Sequence, residues 1–205
     1  MTDKSTLIKL KESERDVRKN LIIDAAMALF SQKTFSAVSM RDIASEAGIS
    51  PSSIYRYFSD RDELFVEAFF REGKKIGENI EEKLIKGSQN GAIELIAADF
   101  VDYLLQHDTF FQMMTYFMME GQISQASLKR FNEAIENHVL QIFDEMFKKI
   151  GVTGNVRLTS HVFFAALNGI LITFRKYPGR NREEVEKHIH RLAKIMAGIF
   201  ERGAG

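Results

Sequence analysis

The chain has 205 residues, 45% of them hydrophobic, with a formal net charge of zero and no cysteine. That length suits one large domain or two small ones, and the apolar content excludes general disorder. The missing cysteines exclude a disulfide framework and thiolate chemistry, while a neutral total leaves the distribution of charge to decide about nucleic acid.

The opening twenty residues, MTDKSTLIKLKESERDVRKN, contain no apolar h-region, so no signal peptide is expected. Residues 1–14 are polar and expected to fray. From about Asp16, the residues Val17, Leu21, Ile22, Ala25, Ala26, Leu29 and Phe30 recur at helical spacing and predict a helix to about Gln32. Ser39 followed by Asp42 is a capping-box variant that predicts a helix over 40–47, closed by Gly48. Ser50 caps a second short helix. Pro51 takes its first position, where a missing N–H costs nothing, and this helix should end near Tyr57. Asp60 with Glu63 starts a long helix to about Ile85, and Gly87 to Gly91 breaks it. Further helices are expected at about 90–106, 108–119, 124–149, 156–176 and 182–202, separated in part by Gly121, GVTGN and YPGR.

No segment alternates like a strand, so the expected fold is all-α. It comprises an N-terminal three-helix bundle over 1–61 and a larger helical body over 62–205, joined by the long helix that begins near 62. The most apolar run, Val162 to Phe174, spans 13 residues, short of the about 20 that cross a membrane. A soluble, cytoplasmic protein with no membrane partner is therefore expected.

The front bundle has a helix-turn-helix layout: two short helices joined by a turn with glycine. Ile54 and Phe58 are four apart and should face Ile43, Ala44 and Ala47. Ser52, Ser53, Tyr55 and Arg56 then lie on the other side. The two serines are small enough for a helix to enter a major groove, and their hydroxyls can bond bases or phosphates. Arg41 and Arg56 can each pair with guanine or clamp a phosphate. Tyr55 and Tyr57 bring hydroxyls on stiff arms, and Arg61 stands beside a helix start that could hold a phosphate. An ordinary helical hairpin with solvated Ser and Arg is the competing reading. Residues 1–61 carry ten Lys and Arg against eight Asp and Glu, so binding should be salt-sensitive without being strongly nonspecific.

Residues 18–69, RKNLIIDAAMALFSQKTFSAVSMRDIASEAGISPSSIYRYFSDRDELFVEAF, resemble the N-terminal DNA-binding domain of the TetR (tetracycline-repressor) family. The likeness rests on Ile22, Ala25-Ala26 and Leu29-Phe30, on Ser39, Ile43-Ala44 and Ala47-Gly48-Ile49-Ser50, and on Tyr55, Tyr57-Phe58, Arg61 and Leu64. It departs at Thr34, where the family often has glycine, at Ser52, and at Arg61, which keeps the charge of the usual lysine. The resemblance implies a homodimer on a palindromic double-stranded DNA operator, with Ser39, Arg41, Ser50, Pro51, Ser52, Ser53, Tyr55, Arg56, Tyr57 and Arg61 as the DNA-binding set.

Residues 100–119 hold four Phe, two Tyr and four Met. Helices this apolar all round are either deeply buried or line a cavity. The resemblance implies an effector pocket in the body. On that reading Phe100, Tyr103, Leu104, His107, Phe111, Met114, Phe117, Met118, Phe164 and Asn168 border it, with Gln112 and Tyr116 as further polar groups. The expected effector is a mostly apolar small molecule, and ordinary core packing is the alternative. In the last two helices Val162, Phe163, Ala166, Gly169, Ile170 and Phe174, and Ile189, Leu192, Met196 and Ile199, recur at three and four spacing. Ala165, Ala193, Ala197 and Gly198 would let helices approach closely. An intersubunit four-helix bundle is expected, against the alternative that both helices pack only on their own core.

Catalysis is not expected. His107, His138, His161, His188 and His190 are scattered, and His188 and His190, two apart on a helix, diverge too far to share a metal. There is no HExxH, GxSxG or phosphate-binding glycine loop, so no catalytic residue, metal or cofactor is assigned. The expected function is a sequence-specific DNA-binding transcriptional regulator, a dimeric repressor released by an apolar ligand. Two alternatives stand beside it: a regulator of this fold without an effector, and an all-helical lipid carrier or enzyme.

Overall fold

The computed structural model describes residues 4–86, 91–119 and 123–203. The expected breaks at 87–90 and Gly121 lie outside the described residues. Everything regular in those residues is helical. The elements are α1 (Lys4–Phe30), a 3-10 turn (Phe35–Ala37), α2 (Met40–Glu46), α3 (Pro51–Ile54), α4 (Arg61–Lys86), α5 (Ala92–Gln106), α6 (Asp108–Met119), α7 (Gln125–Ala134), a π-helical stretch (Ile135–Leu140), α8 (Gln141–Lys149), α9 (Val156–Phe174) and α10 (Arg182–Gly203).

The first helix and the one expected over 124–149 differ from the periodicity reading. The first helix begins at Lys4, not near Asp16. Its early residues are mostly Lys, Leu, Glu and Arg, all good helix formers, and an i,i+4 pair between Glu14 and Arg18 (2.6 Å) adds support. Low apolar periodicity hides such a stretch because nothing buries it. The helix expected over 124–149 contains the π-helical stretch. There Ile135 and Leu140 are both buried although five residues apart, a spacing that a π turn, unlike an α turn, brings to one side.

The chain forms two compact units, Met1–Arg71 with Gln112–Phe131, and Glu72–Phe111 with Asn132–Gly205. In the first, α2 packs on both α1 and α3. Ile22, Ala26, Ile43, Ala44, Ile54 and Phe58 form its core. An aromatic cluster continues it: Phe30 meets Phe65 edge-on at 4.4 Å and Phe35 at 4.6 Å, and Phe35 reaches Tyr116 at 5.6 Å. Phe131 stacks on Phe117 at 4.7 Å and lies 4.8 Å from Phe69. Arg130 pairs with Glu63 and Glu67, and Ser124 N–H donates to Asp62 at 3.1 Å. These contacts bind 112–131 to the first part of α4.

In the second unit α10 lies along α5 and α9, and α8 packs on α9. Its core is again aromatic, with Phe163 touching Phe143, Phe147 and Phe200 at 5.0, 5.4 and 5.2 Å. One buried charge sits within it. Asp144 accepts from the Ser160 hydroxyl at 2.6 Å and pairs with Arg157 at 2.8 Å, so its burial is compensated. At 19 residues and a mean hydropathy of 1.3, α9 is long and apolar enough to cross a membrane by length and composition. The same apolarity serves its contacts with α8 and α10.

Candidate DNA-binding surface

The local sequence dictates how α2 and α3 begin and meet. Ser39 Oγ accepts the Asp42 N–H at 3.2 Å, and the Asp42 carboxylate accepts the Ser39 N–H at 2.9 Å. Hydrogen bonds from the Ser39 hydroxyl and N–H hold the Asp42 carboxyl below its ordinary value of 3.8. Gly48 follows with φ 67, a left-handed turn that favours glycine. Ser50 then caps α3, accepting the Ser53 N–H at 3.2 Å, with Pro51 in the first turn. Regular α-helix ends at Ile54, sooner than the expected Tyr57. The next residues tighten, with Arg56 N–H donating to Ser53 O at 3.2 Å and Tyr57 N–H to Ile54 O at 3.0 Å.

Packing then sorts the faces. Ile54 and Phe58 are buried with Ile43 and Ala44. Arg41, Pro51, Ser52, Tyr55 and Arg56 are exposed, and Ser53 and Tyr57 half-exposed. The side chains of Arg41 and Arg56 have no hydrogen-bond or ion-pair partner among the described residues. Ser39 and Ser50 use their hydroxyls as helix caps. Arg61 is partly withdrawn: its guanidinium lies 5.3 Å from the Phe65 ring centroid and 3.5 Å from Val38 O. At the start of α4, Asp60 accepts the Glu63 N–H at 2.8 Å and Glu63 accepts the Ser59 N–H at 2.6 Å. Burial pushes the Glu63 carboxyl up, but the Ser59 hydrogen bonds and nearby Arg130 outweigh it, leaving its pKa lowered.

Two clefts border this surface. One of about 310 Å³ is lined by Lys11, Glu14, Arg15, Arg18, Arg56 and Tyr57. The other, about 280 Å³, lies between α1 and the α2–α3 turn and shares Arg18, Arg56 and Tyr57. These α1 cations do not stand out in the sequence: Lys11 falls in the stretch expected to fray, and Arg15 and Arg18 precede the helix-turn-helix in which DNA contacts are sought.

An exposed Arg–Ser–Tyr face on a short capped helix, held by an apolar underside, is a helix-turn-helix arrangement, and comparison with known proteins agrees. Residues 22–68 match the family described as bacterial regulatory proteins, tetR family. The N-terminal segment is TetR-like. An uncharacterized HTH-type transcriptional regulator of Haemophilus influenzae is 26% identical over 179 residues, covering 85% of this chain and 82% of the relative. Among solved structures, a candidate TetR-family regulator from Mesorhizobium loti superposes with a TM-score of 0.70 at 21% identity, covering 90% of this chain and 97% of that one. FadR of Bacillus subtilis, solved in complex with stearoyl-CoA, gives 0.66 at 18% identity, covering 84% and 96%. The all-α fold is thus that of TetR-family regulators beyond the N-terminal segment as well, and these likenesses point to transcription regulation, not to an enzyme family.

Within this TetR-like fold the other predicted residues are distributed as follows. Phe100, Leu104 and Phe111 are buried in the second unit, with Phe164 half-exposed at 6.0 Å from Phe100. Tyr103 stacks on His107 at 3.8 Å and donates to Glu72 O at 3.3 Å. Burial and the Glu72 charge push its phenol up to about 12. Asn168 is buried, its Nδ2 donating to Phe164 O at 2.8 Å and its Oδ1 without a partner among the described residues. In the first unit Met114 and Phe117 are buried and Met118 is exposed. A cleft of about 440 Å³ in the second unit is lined by Leu105, Gln106, Asp108, Arg175, Tyr177 and Glu186 among others, not by those residues.

Of the predicted interface set, Val162, Gly169 and Ile199 are exposed, and Ala166, Ile170, Phe174 and Leu192 half-exposed. Phe163, Ile189 and Met196 are buried in the core of their own unit and offer a partner no surface. Leu158, Ile172 and Ile195, not predicted, are exposed on the same two helices. Among the described residues no group of three His, Asp or Glu side chains gathers in a metal-binding arrangement.

Proposed function

We propose that the protein is a cytoplasmic, dimeric, sequence-specific DNA-binding regulator. It represses by holding a palindromic operator and is released by a mostly apolar small molecule. The observation that carries the DNA reading is the two-faced α3 region: Ile54 and Phe58 are buried, while Arg41, Pro51, Ser52, Tyr55 and Arg56 stand exposed. Small serines and a proline at the helix start leave room for a major groove, and arginine reads guanine bidentately. Ser39, Ser50, Ser53, Tyr57 and Arg61 complete the surface from its edges, Ser39 and Ser50 as the helix caps and Arg61 from its place over Phe65.

The apolar body supports an apolar effector, and the stearoyl-CoA in the FadR complex makes a long-chain acyl-CoA the first probe. In a two-state dimer the ligand shifts the balance only by its differential affinity for the two states, and such couplings are typically about 1–3 kcal/mol. The motion would pass along α4, whose residues belong to both units. The close burial of Phe100, Leu104 and Phe111 favours a second reading, the same regulator without a small-molecule effector.

Selection from random DNA by the purified chain tests the main reading. A palindrome should be enriched, and Arg56→Ala should weaken its binding by about 1–3 kcal/mol while relaxing preference at one base position. Failure to enrich any palindrome would sink it. Stearoyl-CoA should raise the melting temperature and release the enriched DNA; release by no acyl-CoA would leave the effector-free reading.

A further inference from the structure

The cleft beside Arg56 joins two parts of the chain that the sequence keeps apart. Lys11, Arg15, Arg18 and Ile22 are spaced by four, three and four, so they fall on one stripe of α1. Ile22 is buried in the bundle, which turns the stripe toward the side where α2 packs. Followed toward the N-terminus, that stripe leaves the core and becomes basic. Lys11, Arg15 and Arg18 there share the cleft of about 310 Å³ with Arg56 and Tyr57.

Charge in the cleft is unbalanced. Its one lining carboxylate, Glu14, is bonded to Arg18 at 2.6 Å. Arg18 and Tyr57 line both this cleft and its neighbour, so they mark the junction of α1 and the α3 turn. The side chains of Lys11, Arg15 and Arg56 have no hydrogen-bond or ion-pair partner among the described residues. Three unneutralised cations around one cleft attract an anion. From Lys11 to Arg18 the helix rises about 10 Å, roughly three steps of a nucleic-acid strand at 3.4 Å each.

We propose that Lys11 and Arg15, on the α1 stripe that shares a cleft with Arg56 and Tyr57, bind the DNA backbone phosphates next to the bases faced by Arg56. The inference rests on the DNA reading above and extends it. The footprint then reaches past α3 onto α1, and the added contacts fix position without reading sequence.

The test measures affinity against salt for the full chain and for Lys11→Ala/Arg15→Ala, on the duplex that the unmodified chain enriches. Both positions are exposed and alanine favours helix, so the variant should fold; circular dichroism checks this. Each lost phosphate contact lowers the slope of log K against log salt by about 0.9, so the double variant should lose about two units of slope while selecting the same sequence. Its affinity deficit should shrink by roughly tenfold between 50 and 200 mM salt. Lys9→Ala, a cation on another face of α1, should leave the slope unchanged. An unchanged slope in the double variant, or an equal loss in Lys9→Ala, overturns the proposal while the DNA reading stands. If the double variant is unaffected on DNA but loses binding to an acidic peptide, the cleft serves a protein partner and the proposal is wrong. A chain that enriches no DNA removes both.

Discussion

Arg61 shows how one side chain can be assigned twice. From its position by a helix start it suits a phosphate, yet its guanidinium lies over Phe65 and beside Val38 O. A cation over an aromatic face and a donor to a backbone carbonyl both stabilise the bundle itself. Arg61→Ala should therefore lower the unfolding free energy by about 1 kcal/mol without DNA present, read by urea denaturation. A variant of unchanged stability that binds DNA more weakly would return the residue to a purely external role. Asn168 is the opposite case. Its type suggested a ligand contact, and the structure places it deep in α9 with one amide oxygen unanswered among the described residues, a fact about packing that no spacing rule conveys.

At the scale of elements, the caps decide where α2, α3 and α4 begin. Ser50→Ala removes the acceptor for the Ser53 N–H and should cost about 1 kcal/mol, seen as a lower melting temperature. The acidic caps add a pH dependence. Asp42 and Glu63 have lowered pKa values in the fold, so each binds a proton more readily when unfolded. Their stabilisation is complete above the ordinary values of 3.8 and 4.5 and is lost as pH falls through the lower folded values. Melting temperature should therefore begin to fall below about pH 4.5, and Asp42→Asn should lessen the part of the fall that sets in below about 3.8; an identical acid profile in the variant would dissociate the cap from it. The helices themselves were legible because apolar residues at three and four spacing must share a buried face. The early turns of α1 were not, since an exposed helix carries no apolar stripe. Nor was the π-helical stretch, whose register changes inside a segment that still reads as one helix.

For the molecule as a whole, the exposed apolar residues on α9 and α10 ask for a cover. Leu158, Val162, Ile172, Ile195 and Ile199 stand open, and exposed apolar patches of this kind mark interaction sites. A second copy of the chain is the proposed occupant. Gly169 lies on α9, and a Cβ built there meets nothing within 4 Å. Gly169→Asp should thus spare the subunit's own fold and yield monomers with weak operator binding by sedimentation. A dimer that persists would rule out this face.

By itself the sequence determined the all-helical class, the capped helix-turn-helix and its TetR likeness, and which side of α3 is apolar. All of these depend on neighbours within about a dozen residues, where spacing alone orients side chains. Only the tertiary structure decided that 112–131 packs with the first part of α4 through Phe69, Phe117 and Phe131. It alone placed Phe163 and Ile189 inside their own unit, and Lys11 and Arg15 in one cleft with Arg56. Those outcomes turn on contacts between residues far apart in the chain, and a helical repeat fixes which face is apolar without fixing what that face meets.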